Sequence, residues 1–353
     1  MDDDRPIDDL LAAKHALAAR WLVPGAARAS RARRMAEVLA AAGRHVHGVG
    51  IGRKGTAGRA TDEACIRLFV ARKLPRHLLS ARDVLPAAID GIPTDVVEAP
   101  PARLHGTVAS PASRGIERSC TAGRKRVRRP LVAGVSVALH TVTAGTISAF
   151  VRSRRPGDDA EAVHLLSNNH VLADVDHGRT GDAVYQPGPY DGGTAKDLVA
   201  RLTRAVPLRL GGRAANRVDC AMAALVAGVA YRPEVCSIGL VTEVAEARLG
   251  LGVRKHGRTT GLTAGIISDV AFDAIVEMDG DGGEARFLDQ VRISRRAPFA
   301  AFGLGGDSGA LVVTAGLVAR AVGLYFAGPE DGSYGIANPI AEVLEALDVE
   351  LVQ

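Results

Sequence analysis

The chain has 353 residues, of which 47% are hydrophobic, 4% aromatic and 24% charged, with 40 glycines and a formal net charge of +5. Its length suggests two domains at ~150 residues each, and a composition rich in glycine and poor in aromatics suits a turn-rich β protein better than a helical bundle. The modest positive charge, without aromatic stacking groups beside its basic cluster, argues against nucleic-acid binding, and no run approaches the ~18 apolar residues of a membrane-spanning helix.

The first residues, Met1-Asp2-Asp3-Asp4-Arg5, offer neither the basic start nor the apolar stretch of a signal peptide. Cys65, Cys120, Cys220 and Cys236 are scattered without a CxxC pair, so four free thiols and a cytoplasmic address are expected. Over residues 1–44, Leu10, Leu11, Ala13 and Leu17 recur at helical spacing. Met35, Val38 and Leu39 repeat the pattern after Pro24-Gly25, which predicts two helices, the second lined by Arg28, Arg31, Arg33 and Arg34.

Residues 45–99 change to short β runs around Val46, Val49 and Ile51, over Cys65–Val70 and over Pro93–Val97. A helix is predicted from Pro75 to Ile89, giving a small α+β module. His45 and His47 alternate on a strand but lack a third ligand, so no metal site is expected. Residues 100–130 carry Pro100, Pro101, Pro111 and the run Arg124-Lys125-Arg126-Val127-Arg128-Arg129, and read as a mobile, solvated linker. A docking patch for an acidic partner is the alternative reading of that run.

From 131 to 353 short strands punctuated by glycine follow one another with almost no helix, which argues for barrels or a sandwich. Asp279-Gly280-Asp281-Gly282-Gly283-Glu284 reads as a hairpin turn, being too short for a twelve-residue calcium loop. Ile340–Leu347 reads as a closing helix.

Three segments in this part carry chemistry. Leu166-Ser167-Asn168-Asn169-His170 ends an apolar run on a histidine, Val218-Asp219-Cys220-Ala221 sets an acid inside a second run, and Gly305-Gly306-Asp307-Ser308-Gly309 presents a serine among glycines. A serine hydroxyl needs an imidazole to take its proton as it attacks, and the imidazole needs a carboxylate to fix its tautomer. The backbone N–H groups of Gly306 and Ser308 can converge on a developing oxyanion. Asp174 and Asp176 compete for the acid role, but they lie in a polar loop where they can stay solvated. Asp219 lies in an apolar run, where a carboxylate is costly unless hydrogen-bonded.

With this order of histidine, aspartate and serine, residues from about 130 to 353 resemble the trypsin-like serine peptidases of the chymotrypsin fold. The likeness is closer to bacterial proteins related to the plant narrow-leaf proteases, through Tyr185-Gln186-Pro187-Gly188-Pro189-Tyr190-Asp191-Gly192, His256-Gly257-Arg258-Thr259-Thr260-Gly261 and Ile336-Ala337-Asn338-Pro339. The resemblance implies a mainly β chain with two six-stranded antiparallel barrels, and His170, Asp219 and Ser308 as a catalytic triad. It implies that Asp307 shapes the oxyanion turn. By the same analogy Phe302, Tyr325, Phe326 and Gly328 outline a specificity pocket, which carries no carboxylate and so suits an apolar side chain. A protein or peptide substrate is expected, with no cofactor and no metal. Residues 1–130 are expected to restrain the enzyme by blocking the cleft or by assembling a homo-oligomer. A non-catalytic module on the same fold, and an esterase using the same triad, are the alternatives.

Overall fold

The computed structural model describes residues 6–22, 46–56, 59–81, 83–104, 122–211, 214–278 and 283–353. The chain is mainly β, with α-helices at Ile7–Trp21, Asn169–Leu172 and Ile340–Leu347 among the described residues. It divides into two compact units, and the division differs from the sequence expectation. One unit takes Met1–Arg103, Arg209–Asn216 and Ser268–Arg292; the other takes Leu104–Leu208, Arg217–Ile267 and Ile293–Gln353.

In the first unit the helix Ile7–Trp21 begins after Pro6 and carries Asp8 and Asp9 in its first turn and Arg20 in its last. This is the charge order that a helix dipole favours. Leu10, Ala13, Leu17 and Ala18 are buried in a cluster with Val49, Ile51, Ile66, Leu68 and Ile275. The strand Val46–Thr56 pairs with Arg59–Val70 on one edge. On the other edge it pairs with residues 269–274, so the amino-terminal sheet draws a strand from the chain's second half. Ile92–Glu98 extends the sheet in parallel beside Arg59–Val70.

Buried ions fix that borrowed hairpin. Lys14, on the helix, reaches Asp273 at 2.8 Å and Asp289 at 2.7 Å. Arg67 and Arg292 both donate to Asp269. A buried carboxylate is tolerated only with such partners. Residues 268–292 are therefore part of the amino-terminal unit, and the assignment of everything from 131 to 353 to one domain needs that amendment.

One further expectation fails here. No helix spans 75–89: a short 3-10 turn, Arg76–Leu78, is followed by a strand at Ala88–Ile89. The apolar positions Leu78, Leu79, Val84 and Leu85 are bracketed by Pro75 and Pro86, and Pro86 disfavours helix at the residue before it and blocks continuation to Ile89. The second predicted helix, with its four arginines, and His45 lie outside the described residues. His47 lies 3.0 Å from the Ala99 carbonyl, and burial brings its pKa down to about 4.

The second unit holds an eight-stranded antiparallel sheet. Its order is Val349–Leu351, Ala149–Ser153, Val163–Ser167, Ala221–Leu225, Leu198–Ala205, Ala183–Tyr185, Ser136–Leu139 and Gly145–Thr146. A second antiparallel set runs from residues 261–266 through Gly252–Gly257, Leu311–Thr314 and Ala321–Gly328 to Tyr334–Pro339. Helix Ile340–Leu347 follows, as the sequence suggested, and buries Ile340, Val343 and Leu347. One apolar cluster joins residues of both sets, including Val137, Leu166, Met222, Leu311 and Leu324.

The basic run is not a free linker over its described part. Gln186 accepts from the Arg128 N–H at 2.8 Å and from the Arg129 guanidinium at 2.6 Å, and its amide donates to the Arg126 carbonyl. Ala102–Leu104, also placed in the linker, is a strand whose Ala102 and Arg103 pair with Val276 and Glu277. Residues 105–121 lie outside the described residues.

The cysteines divide. Cys65 and Cys220 are buried free thiols; burial pushes Cys65 up to about 12 and raises Cys220. Cys236 is disulfide-bonded, which corrects the expectation of four free thiols and removes that ground for a cytoplasmic address. Cys120 lies outside the described residues. Among the described residues no helix is long and apolar enough to cross a membrane.

Candidate active site

The strand Val163–Ser167 delivers His170 on the short helix Asn169–Leu172. Two asparagines set the helix in place. Asn168 donates to the Asp219 carbonyl at 2.7 Å, and Asn169 donates to Asp176 at 2.6 Å and to the Val206 carbonyl at 2.8 Å. His170 Nδ1 lies 2.5 Å from Asp219 Oδ2, and the His170 backbone N–H donates to Oδ1 at 3.3 Å. Asp219 has no exposed surface; facing an ionised carboxylate, which only accepts, Nδ1 is the ring nitrogen that donates. That leaves His170 Nε2 as the ring's free acceptor, and among the described residues it has no hydrogen-bond partner. Asn338, on the strand Tyr334–Pro339, accepts from the Asp219 N–H at 3.0 Å.

The competing acids are otherwise engaged. Asp174 accepts from Thr141 at 2.9 Å, and Asp176 accepts from Asn169 and from the Leu208 N–H. Asp176 is exposed and Asp174 half-buried, in line with a polar loop, but both have partners, and Asp176 supports the helix that presents His170.

Ser308 sits on a tight turn. Gly306 has φ +88° and Gly309 φ +93°, a region that L side chains avoid. A Cβ on Gly306 would meet Thr259 Oγ1 at 2.8 Å and Arg258 Nη1 at 3.0 Å. Thr146 ties this turn to the first sheet: its N–H donates to the Ser308 carbonyl at 2.8 Å and its Oγ1 donates to the Gly306 carbonyl at 2.9 Å. Ser308 Oγ donates to the Phe326 carbonyl at 3.3 Å, not to His170. Among the described residues no acceptor meets the N–H of Gly306 or of Ser308.

Asp307 is buried beneath the turn and collects five donors. Oδ2 accepts from Lys255 at 3.2 Å, Thr260 Oγ1 at 2.7 Å and the Leu304 N–H at 3.0 Å. Oδ1 accepts from the Thr259 and Thr260 N–H groups at 2.7 and 3.1 Å. Burial opposes ionisation of Asp307, but the Lys255 ammonium and these hydrogen bonds outweigh it and hold its carboxyl below the usual value. Burial lowers the pKa of Lys255, with Asp307 opposing that shift. Neighbouring His256 donates from Nδ1 to the Gly134 carbonyl at 2.9 Å, and burial lowers its pKa to about 4.

The residues expected to outline a pocket are buried. Phe302, Tyr325 and Phe326 have no accessible surface. The Phe302 and Tyr325 rings meet edge to face and each lies 5.6 Å from Lys255 Nζ. Phe302 and Tyr325 thus pack against the Lys255–Asp307 pair, and Gly328 is a buried strand end. Sequence distance from the serine located these residues but could not say which way their side chains turn.

Lys255, Thr146, Asn338 and the Arg258–Asp191 pair were missed by sequence reasoning. A usable signal existed for Lys255 and Arg258: both flank Gly257 in a strand-and-turn segment, and a lysine next to Val253 and His256 on a buried strand requires an anion.

No family model matches the chain. The rice (Oryza sativa subsp. japonica) "Protein NARROW LEAF 1" is 25% identical over 354 residues, covering 86% of this chain and 57% of that protein. The chain thus spans less than two thirds of that relative. Among solved structures, Thermobifida fusca Protease A matches with a TM-score of 0.44 at 20% identity, over 63% of this chain and 98% of its own. A chymotrypsin of Cellulomonas bogoriensis matches with a TM-score of 0.41 at 18% identity, over 63% of this chain and 97% of its own.

Proposed function

We propose that this chain is a serine endopeptidase in which Ser308 is the nucleophile, His170 the general base and Asp219 the carboxylate that orients it. The observation that carries the reading is the 2.5 Å contact of His170 Nδ1 with buried Asp219, with the opposite ring nitrogen, Nε2, left without a partner among the described residues. The reading requires Ser308 Oγ, which donates to the Phe326 carbonyl, to turn toward that nitrogen before attack. As Oγ attacks a peptide carbonyl, its proton passes to Nε2. The N–H groups of Gly306 and Ser308 receive the oxyanion, and His170 then returns the proton to the leaving amine. Water repeats the sequence on the acyl-enzyme. No metal or cofactor enters. The kinship with the plant narrow-leaf proteins and their bacterial relatives belongs to the same proposal, and so does the substrate class.

One observation favours a second reading, a binding module that keeps the fold without turnover: Ser308 Oγ is hydrogen-bonded away from His170. Comparing peptide cleavage by the wild type and Ser308→Ala, with products mapped by mass spectrometry, separates the two. The first reading expects cleavage by the wild type and a loss on the order of a millionfold in the variant. Equal cleavage by both proteins, or none by either, contradicts it.

A further inference from the structure

The turn at Ser308 contains two candidate oxyanion donors, and they are held by different means. In a planar trans peptide the N–H and the preceding C=O point in opposite directions. The direction of the Ser308 N–H is therefore set by the Asp307 carbonyl, which accepts from the Ala310 N–H at 2.9 Å within the same turn. The direction of the Gly306 N–H is set by the Gly305 carbonyl. That peptide lies between two glycines, which impose little steric barrier to its rotation as a unit. Its anchor comes from another segment: Thr259 Oγ1 donates to the Gly305 carbonyl at 2.5 Å.

Thr259 is itself directed. A hydroxyl has a single proton, and Arg258 Nη1 donates to Thr259 Oγ1 at 3.1 Å, so the Thr259 proton is left for Gly305. Arg258 is locked in turn. Its Nε and Nη2 meet the two oxygens of Asp191 at 2.8 and 2.5 Å, a paired fork in which both partners are buried. Tyr190 covers its guanidinium at 5.3 Å. The Thr259 backbone is fixed by Asp307. The Arg258 N–H donates to Thr146 Oγ1, which holds the Gly306 carbonyl.

We propose that Thr259, backed by the Arg258–Asp191 pair, is a positioning residue that keeps the Gly305–Gly306 peptide turned so that the Gly306 N–H faces the oxyanion. This gives the two segments Tyr185–Gly192 and His256–Gly261 a shared purpose that the triad does not. The inference rests on the peptidase reading for its kinetic consequence and not for its geometry. An oxyanion donor acts on the transition state and not on substrate binding, so its loss lowers kcat and leaves KM in place.

The test uses the full chain with Thr259→Val, which keeps the shape and removes the hydroxyl, Thr259→Ser, which restores it, and Thr259→Ala in case the valine variant does not fold. On a peptide substrate, the valine or alanine variant is expected to lose on the order of a hundredfold in kcat with KM within about threefold. Thr259→Ser is expected to recover to within about tenfold of the wild type. Valine and alanine variants with wild-type kcat overturn the proposal, as does a loss confined to KM. A crystal structure of the valine or alanine variant decides the geometry even if the wild type hydrolyses nothing, an outcome that sinks the peptidase reading alone. A flipped or multiply oriented Gly305–Gly306 peptide supports the inference, and the wild-type orientation overturns it.

Discussion

The His170–Asp219 couple and the Ser308 turn, which the proposed peptidase would use together, are stabilised by opposite means. The couple is placed by the ends of regular strands and trimmed by neutral amides, Asn168, Asn169 and Asn338. The turn is a run of glycines whose peptides can rotate, and it is fixed by two buried ion pairs, Lys255–Asp307 and Arg258–Asp191, together with the hydroxyls of Thr146, Thr259 and Thr260. Strand geometry positions a side chain with few helpers. A flexible turn whose backbone must aim two N–H groups needs many, and charged ones give the strongest hold because their bonds are short and directional.

The largest expected effect lies on the couple. Asp219→Asn keeps the shape but offers Nδ1 a donor where it needs an acceptor, and kcat should fall roughly 10⁴-fold with unfolding little changed. Asp174→Asn should leave the rate within about threefold, since Asp174 is bonded to Thr141 and not to His170. Rates measured on both variants check this, and a severe Asp174→Asn beside a mild Asp219→Asn moves the couple to the wrong acid.

Lys255→Met and Asn338→Ala compare the two means of support directly. The first leaves Asp307 charged and buried without its cation, at a cost of about 3–5 kcal/mol. The second removes the neutral hydrogen bond to the Asp219 N–H, at a cost of about 1–2 kcal/mol. Denaturant unfolding of both variants reads the difference; equal losses would mean that the ion pairs under the turn are no more than ordinary hydrogen bonds.

Part of this was legible in the sequence. His170, Asp219 and Ser308 stand out because a polar residue at the end of, or inside, an apolar run demands an explanation, and the closing helix shows its period plainly. The supports of the turn were not legible. Asp191 and Arg258 are 67 positions apart, and nothing local ties a carboxylate in a proline-glycine segment to an arginine in a strand turn. The cysteines misled because spacing cannot reveal a bond with a distant partner, and Cys236 is bonded. The domain boundary misled because residues 268–292 alternate like any hairpin of a barrel. Only pairing shows that Asp269 and Asp273 face Arg67 and Lys14.

That pairing extends the comparison to the first unit, where ions also fix a segment that its own strands do not. A chain starting at Arg129 keeps residues 268–292 but loses Lys14, Arg67 and the strand Val46–Thr56. It should expose Phe272 and Ile275 and leave Asp269 and Asp273 short of partners. We expect it to bind an apolar dye and to unfold at lower denaturant than the full chain. A truncated protein as stable as the full chain, with no dye binding, would show that the hairpin does not need the amino-terminal strands.

A separate expected effect is on acid stability. Burial lowers the pKa of His256 from 6.5 to about 4, so the folded chain keeps this ring neutral while the unfolded chain protonates it. The stabilisation is fully present above pH 6.5 and is lost as pH falls through about 4, with a span on the order of 3 kcal/mol. Unfolding free energies between pH 7 and 4 should fall less steeply for His256→Gln than for the wild type. Parallel slopes would place the acid sensitivity elsewhere.

The central claim, that Ser308 is a nucleophile served by His170, is tested most directly by an active-site fluorophosphonate with the adduct located by mass spectrometry. One adduct is predicted, on Ser308, with labelling absent in Ser308→Ala and slowed at least a hundredfold in His170→Ala. An adduct on another residue, no adduct on the folded wild type, or undiminished labelling in His170→Ala would contradict the account.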